Sequence, residues 1–187
     1  MDDRIKRWSS LYYHDPARVL RKLRTLERGL ADEEVDPKVR RLRTNTLKKY
    51  REWRDAALFL YGMGLSKGLQ IGYATEERDD YDVVAGWIEG TTRHFCPVQL
   101  KELVPEDLNP NVSLSGLLSG LQKYGARTET VLVVKLNRRS GLDLPEIPRV
   151  PFSQLWFFWA SEVGSDRLCL YGDALGSPAH FAFDYPD

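Results

Sequence analysis

The sequence is poor in the residues that most often advertise chemistry. Its 187 residues include two cysteines, Cys96 and Cys169, and three histidines. Two cysteines so far apart exclude a disulfide-stapled scaffold and a thiolate zinc site. Both lie in apolar stretches, so buried free thiols are expected. The histidines are too widely separated for a His-rich zinc centre. No GxxxxGK[ST] loop, HExxH, CxxC or GxSxG is present, and Gly62-Met63-Gly64 lacks the remaining glycine of a phosphate-binding loop. An excess of charge is missing too: 27 basic and 27 acidic side chains leave a net charge of zero. Any binding to nucleic acid must therefore come from a local patch. No apolar run approaches the roughly 18 residues that a membrane span needs, and the polar first residues do not read as a secretory signal. A cytoplasmic protein with no membrane partner is expected. Internal repeats and low-complexity segments are absent.

What remains is an ordinary globular composition, 42% hydrophobic and 29% charged. The length suits one domain with a helical extension over residues 1–36 and a main domain over 37–187. Asp15-Pro16 marks a helix start, because Asp caps and Pro fits the first turn. Val19, Leu20, Leu23 and Leu26 follow at helical spacing. An acidic connection, residues 31–36, leads to Asp36-Pro37 and a second helix from about Pro37 to Gly62. That helix carries Arg40, Arg41, Arg43, Lys48, Lys49, Arg51 and Arg54, with an apolar stripe of Tyr50, Trp53, Ala57, Leu58 and Tyr61. The first third of the chain is thus basic and helical. It is either a phosphate-facing surface or a solvated helix face.

Glycines 62, 64 and 68 break the helical pattern, and strand patterns follow. Strands are expected over 69–74, 81–89 and 94–104, the last two joined by a turn at Gly90-Thr91-Thr92. Ser113 caps a helix over 113–124, with leucines at 114, 117, 118 and 121 and Gly125 at its end. Thr128–Asn137 is apolar enough for a central, parallel strand. Three further strands are expected over 155–163, 168–173 and 180–184, with a turn at Gly164-Ser165-Asp166. The run Trp156, Phe157, Phe158 and Trp159 belongs to the core or a sheet face. His94 is expected to be structural, since no Ser or Cys nucleophile is placed to use it.

The chemistry concentrates in the stretch 80–102. An Asp opens one strand, and Gln99-Leu100-Lys101 lies in the next. Alternate residues of a strand share a face, so Gln99 and Lys101 point the same way and Glu102 the other. If the strands pair, Asp82 joins Gln99 and Lys101 at one end of a sheet. Asp79 and Asp80 belong either to this end or to a solvated turn.

With Asp82 in the second strand and Gln99-x-Lys101 in the third, the chain resembles the PD-(D/E)xK nuclease superfamily over about residues 38–137. Tyr81-Asp82 stands for Pro-Asp, and Gln99 stands for the acid of the second motif. The resemblance implies an α/β (α+β) fold with a restriction-endonuclease-like αβββαβ core, to which N-terminal helices and C-terminal strands are added. It implies a metal-dependent endonuclease that hydrolyses phosphodiester bonds in DNA, or less readily RNA, with Mg²⁺ or Mn²⁺ as cofactor. Asp82, Gln99 and Lys101 would be the catalytic residues. Asp82, the Gln99 amide oxygen, the Leu100 carbonyl and a helix acid, Glu52 or else Asp55, would hold the metal. Gln99 brings no charge, which lowers metal affinity. Lys123, Lys135 and Arg138 would touch the nucleic-acid backbone unless they are plain solvated charges. A homodimer is compatible with an enzyme that cuts both strands. Two alternatives stay open: a catalytically inactive relative that serves as a nucleic-acid-binding or protein-interaction module, and an accessory protein whose basic helices bind a protein partner.

Overall fold

The computed structural model describes residues 3–31, 36, 43–76, 81–123, 125, 127–138, 147–162 and 164–187. The expectations for Arg40, Arg41, Asp79, Asp80 and most of the acidic connection concern residues outside that set. The described chain is mixed α and β, with one seven-stranded sheet in sequential order.

Two helices lead in. Helix α1 spans Asp3–Ser10 and α2 spans Pro16–Ala31. Asp15 caps α2 as expected: its Oδ1 accepts from the amides of Ala17 and Arg18 at 2.8 and 3.4 Å. A single 3₁₀ turn, Asn45–Leu47, opens into α3, Lys48–Lys67. The expected end at Gly62 is not where α3 stops. It runs on to Gly68, whose φ of 64° is the left-handed conformation that ends helices readily when Cβ is absent. Gly62 is instead a packing device: a Cβ there would meet the Phe183 ring at 2.5 Å and Leu170 at 2.9 Å. Close approach of α3 to the sheet, not helix termination, explains that glycine.

The strands follow as β1 Gly72–Thr75, β2 Val83–Glu89, β3 Thr92–Leu103, β4 Arg127–Leu136, β5 Phe152–Ala160, β6 Arg167–Gly172 and β7 Ala179–Asp184. The hairpin between β2 and β3 closes with Glu89 opposite Thr92, and Gly90 takes a positive φ of 61° in the turn. Between β3 and β4 lies a short helix, α4, Leu114–Ser119. Ser113 caps it by accepting from the Gly116 amide. Regular helix ends five residues before the expected Tyr124, and turns fill 120–123. Strand β4 is parallel to both β3 and β5; every other neighbouring pair is antiparallel. The last three strands are therefore continuous with the central sheet.

Both faces of the sheet are covered. Leu20 of α2 and residues 56–60 of α3 pack on Val83, Ala85, Val98, Val133, Phe158 and Leu170. On the other face, Leu118 and Leu121 meet Leu132, Val134, Leu155 and Phe157. Trp8 of α1 packs there on Val84, at the β1 side of the sheet. Side chains alternate along each strand, so β4 sends Val131 and Val133 to the α3 face and Leu132 and Val134 to the α4 face. The aromatic run divides in the same way and is core, as expected, with Trp156, Phe157 and Phe158 buried. Cys169 is buried; Cys96 is only half-buried. Among the described residues no helix is long and apolar enough to cross a membrane.

Gly29, in α2, has open space where a Cβ would go. Gly29→Ala should thus stabilise the protein by about 0.5–1 kcal/mol through helix propensity and the unfolded chain. Gly62→Leu should destabilise it by about 1–3 kcal/mol through overpacking against Phe183 and Leu170. Urea unfolding of the two variants beside the parent checks both signs.

Candidate functional site

The candidate site lies where β3 outruns β2. Pairing of these strands ends with Val83 opposite Val98, and the Asp82 amide donates to the Val98 carbonyl at 3.0 Å. Leu100 is two residues further along β3, so its backbone faces an edge that β2 no longer covers. The Asp82 side chain takes over there. Its Oδ2 accepts from the Leu100 amide at 2.6 Å and from the Gln99 side-chain amide. Gln99 Nε2 also lies 3.4 Å from the Leu100 carbonyl oxygen. A carboxylate, an amide and a backbone carbonyl thus converge at one strand end.

Lys101 shares the Gln99 face, and its charge acts on Asp82. It has no hydrogen-bond or ion-pair partner among the described residues. Glu52 and Lys48, from the first turns of α3, also act on Asp82 and pair with each other at 3.5 Å. Burial pushes the Asp82 carboxyl above its usual range. The Leu100 amide, Lys101 and Lys48 oppose this, and Glu52 adds to it.

The approach to Asp82 is anchored from α1. Tyr81 is buried, accepts from Trp8 Nε1 at 2.8 Å and donates to Glu76 at 2.5 Å. Arg7 closes the network on Glu76 at 2.5 Å. A hydrogen-bonded aromatic therefore fixes the backbone directly before the Asp. Neither this tether nor Lys48 is apparent in the sequence, because both depend on contacts more than thirty residues away.

The remaining expected site residues are elsewhere. Asp55 is buried on the α3 face and accepts from Lys135 at 2.6 Å. Lys135 is thereby committed to an internal ion pair. Arg138 donates to the Val104 and Asn109 carbonyls at 2.7 and 2.6 Å and braces the loop after β3. Lys123 is exposed in the turns after α4. Asp55, Lys135 and Arg138 are thus held by partners outside the Asp82 cluster. Glu102 points away from Gln99, as strand alternation requires, and meets Arg43 at 2.6 Å and Asn137 at 3.0 Å. These partners hold its carboxyl below the usual range against the opposing effect of burial. His94 stacks on Trp87, with ring centroids 5.2 Å apart.

Among the described residues, no group of three or more His, Cys, Asp or Glu side chains is placed to hold a metal ion. No family model, curated protein or solved structure matches the chain.

Because the folded carboxyl of Asp82 titrates above an unfolded Asp, ionisation opposes folding. That penalty is absent below the unfolded pKa and grows as pH rises through the folded one. Asp82→Asn, which retains an acceptor for Leu100, should raise the unfolding midpoint at neutral pH in the presence of chelator. The gain should vanish in acid. Equal pH profiles for variant and parent would show that Asp82 carries no such penalty.

Proposed function

We propose that Asp82, Gln99, Leu100 and Lys101 form a divalent-cation site that hydrolyses phosphodiester bonds in DNA. One observation carries this reading: three potential oxygen donors converge at the end of β3 beside an uncommitted ammonium. The donors suit a hard cation. Asp82 supplies charge, and the Leu100 carbonyl lies beyond the reach of strand pairing. Half a turn of the Gln99 amide exchanges its nitrogen for Oε1 next to Asp82. Glu52 adds a second carboxylate within electrostatic range. Such a set carries little charge, so affinity for Mg²⁺ or Mn²⁺ is modest.

When bound, the ion polarises the phosphate and acidifies a coordinated water. The chain's own residues orient the reactants. Lys101 donates to the phosphate oxygen on which charge develops. The tether from Trp8 through Tyr81 keeps Asp82 at the strand end. The element order α3, three antiparallel strands, α4 and a parallel strand agrees with the order implied by the resemblance to PD-(D/E)xK nucleases. Lys135 and Arg138, committed to internal partners, are not part of the proposed DNA contact. Lys48 and Lys101, whose charges act on Asp82, replace them in that role.

A second reading has its own support. The Gln99 and Leu100 amides already satisfy Asp82, as a strand-end cap with no ligand would. On that reading the fold is a nucleic-acid-binding or protein-interaction module without catalysis.

Cleavage of supercoiled, linear and single-stranded DNA with Mg²⁺ or Mn²⁺ separates the two. For an enzyme, Lys101→Ala should lower the cutting rate on the order of a hundredfold or more while leaving the fold intact. Gln99→Glu, which adds a charged oxygen donor, should tighten the Mn²⁺ titration; Asp82→Asn should weaken it. No cutting by parent or Gln99→Glu, together with salt-dependent DNA binding in chelator, would favour the module.

A further inference from the structure

The two edges of the sheet are finished differently. At β1 the edge is closed: the His14 amide donates to the Tyr73 carbonyl at 2.8 Å, and the Tyr73 amide donates back to His14 at 3.0 Å. At the other edge, β7 pairs with β6 from Ala179 to Asp184 and has no strand on its far side. The register tells which backbone groups are left over. The Tyr185 amide donates to the Asp166 carbonyl at 2.8 Å, so the odd-numbered residues of β7 turn their backbone groups to β6. His180, Ala182 and Asp184 therefore present N–H and C=O groups outward, and no described residue pairs with them. The usual protections of an open edge are missing: β7 has no Lys, no bulge and no Pro within it. Its one acid, Asp184, stands 3.5 Å from Arg167 and is exposed.

This edge is complementary to itself. Turned about a two-fold axis at Ala182, β7 meets a second copy in antiparallel register. Ala182 then faces the partner's Ala182, His180 faces the partner's Asp184, and Phe181 faces the partner's Phe183. The outward amides of each strand all meet outward carbonyls of the other. A slip of two residues either way sets Asp184 opposite Pro178 or His180 opposite Pro186, and proline has no N–H to return. The side chains favour the same register. His180 is exposed, with its ring 5.9 Å from Trp159, and can donate to the carboxylate across the axis. No like charges meet. On the α3 face, half-buried Phe181 stacks with Phe183, centroids 6.3 Å apart, and pairing carries this aromatic row across the axis and covers Phe181. A strand of unrelated sequence would gain the backbone bonds without these matches.

We propose that the free edge of β7 is the interface of a symmetric dimer of this chain, in which two antiparallel β7 strands centred on Ala182 join the two sheets into one. One strand pair is a small interface, so the dimer is reversible, with a dissociation constant on the order of 10–100 μM. The inference does not depend on the function proposed for Asp82.

Sedimentation equilibrium of the full chain in reductant, from about 1 to 500 μM, tests it, and a monomer–dimer equilibrium is expected. Residue-resolved hydrogen exchange should show the amides of His180, Ala182 and Asp184 gaining protection as concentration rises, while β6 protects Phe181 and Phe183 throughout. Ala182→Pro removes an outward N–H that β6 does not use, so the monomer should fold and the dimer should be lost. Two substitutions at exposed His180 keep the test open if that variant does not fold. His180→Asp sets carboxylates opposite each other and should raise the dissociation constant at least about tenfold, or 1.4 kcal/mol. His180→Lys sets a permanent cation opposite the partner's Asp184 and should lower it. Overturning results are a monomer at about 500 μM, which would leave the edge to a strand of another protein, a dimer whose outward β7 amides stay unprotected, undiminished dimerisation of folded Ala182→Pro, or a shift of the same sign in both His180 variants.

Discussion

Everything in this fold depends on burying β4 from both sides. Leu132, Val133 and Val134 have no exposed surface, and the strand is parallel to each of its neighbours. A parallel strand cannot follow its neighbour through a tight turn, so chain must cross over between β3 and β4 and between β4 and β5. The first of these crossovers carries α4, which covers one face. The opposite face needs a larger cover, and α2 and α3 supply it. Gly62 allows α3 to approach the Phe183 ring closely, and the Tyr185 hydroxyl donates to the Leu20 carbonyl at 2.9 Å, which ties α2 to the C-terminal end.

The candidate site is a consequence of unequal strand lengths. Because β2 starts at Val83 while β3 continues to Leu103, the backbone of Leu100 is left without a strand partner on that side. A buried amide must be paired, and Asp82 is the nearest acceptor. The geometry that completes the sheet is thus the same geometry that gathers a carboxylate, an amide and a carbonyl beside Lys101. This double use is why two functional readings share one structure. The carboxylate above its usual range shows the tension: burial and Glu52 oppose ionisation, while the Leu100 amide, Lys101 and Lys48 favour it. A cavity of about 550 Å³ beneath α3 has a different origin. There the paired small residues Ala85 and Cys96 leave space that the rings around them do not fill.

Local signals were legible. Asp15-Pro16 marked the start of α2, Ser113 marked α4, and the Gly90 turn set the β2–β3 hairpin, since each rests on hydrogen bonds or backbone preferences within a few residues. The unbroken apolar run of β4 announced a strand covered on both sides. Strand alternation placed Gln99 and Lys101 together and Glu102 apart. Glycine was misleading where its reason was distant: Gly62 looks like a helix terminus but answers to Phe183, more than a hundred residues later. Side-chain commitments were equally invisible. Nothing near Lys135 in the chain indicates that Asp55 holds it, and nothing near Arg138 indicates the Asn109 carbonyl.

The sequence by itself determined the kinds of element and their order, the two-faced burial of β4 and the shared face of Gln99 and Lys101, because these follow from periodicity and near-neighbour bonding. Only the tertiary structure decided where α3 ends, which basic side chains are spent on internal partners, how Tyr81 is tethered to α1, and that a cavity lies beneath α3. Those outcomes depend on which surfaces meet, and residues far apart in the chain encounter one another only after the sheet and its covering helices have assembled.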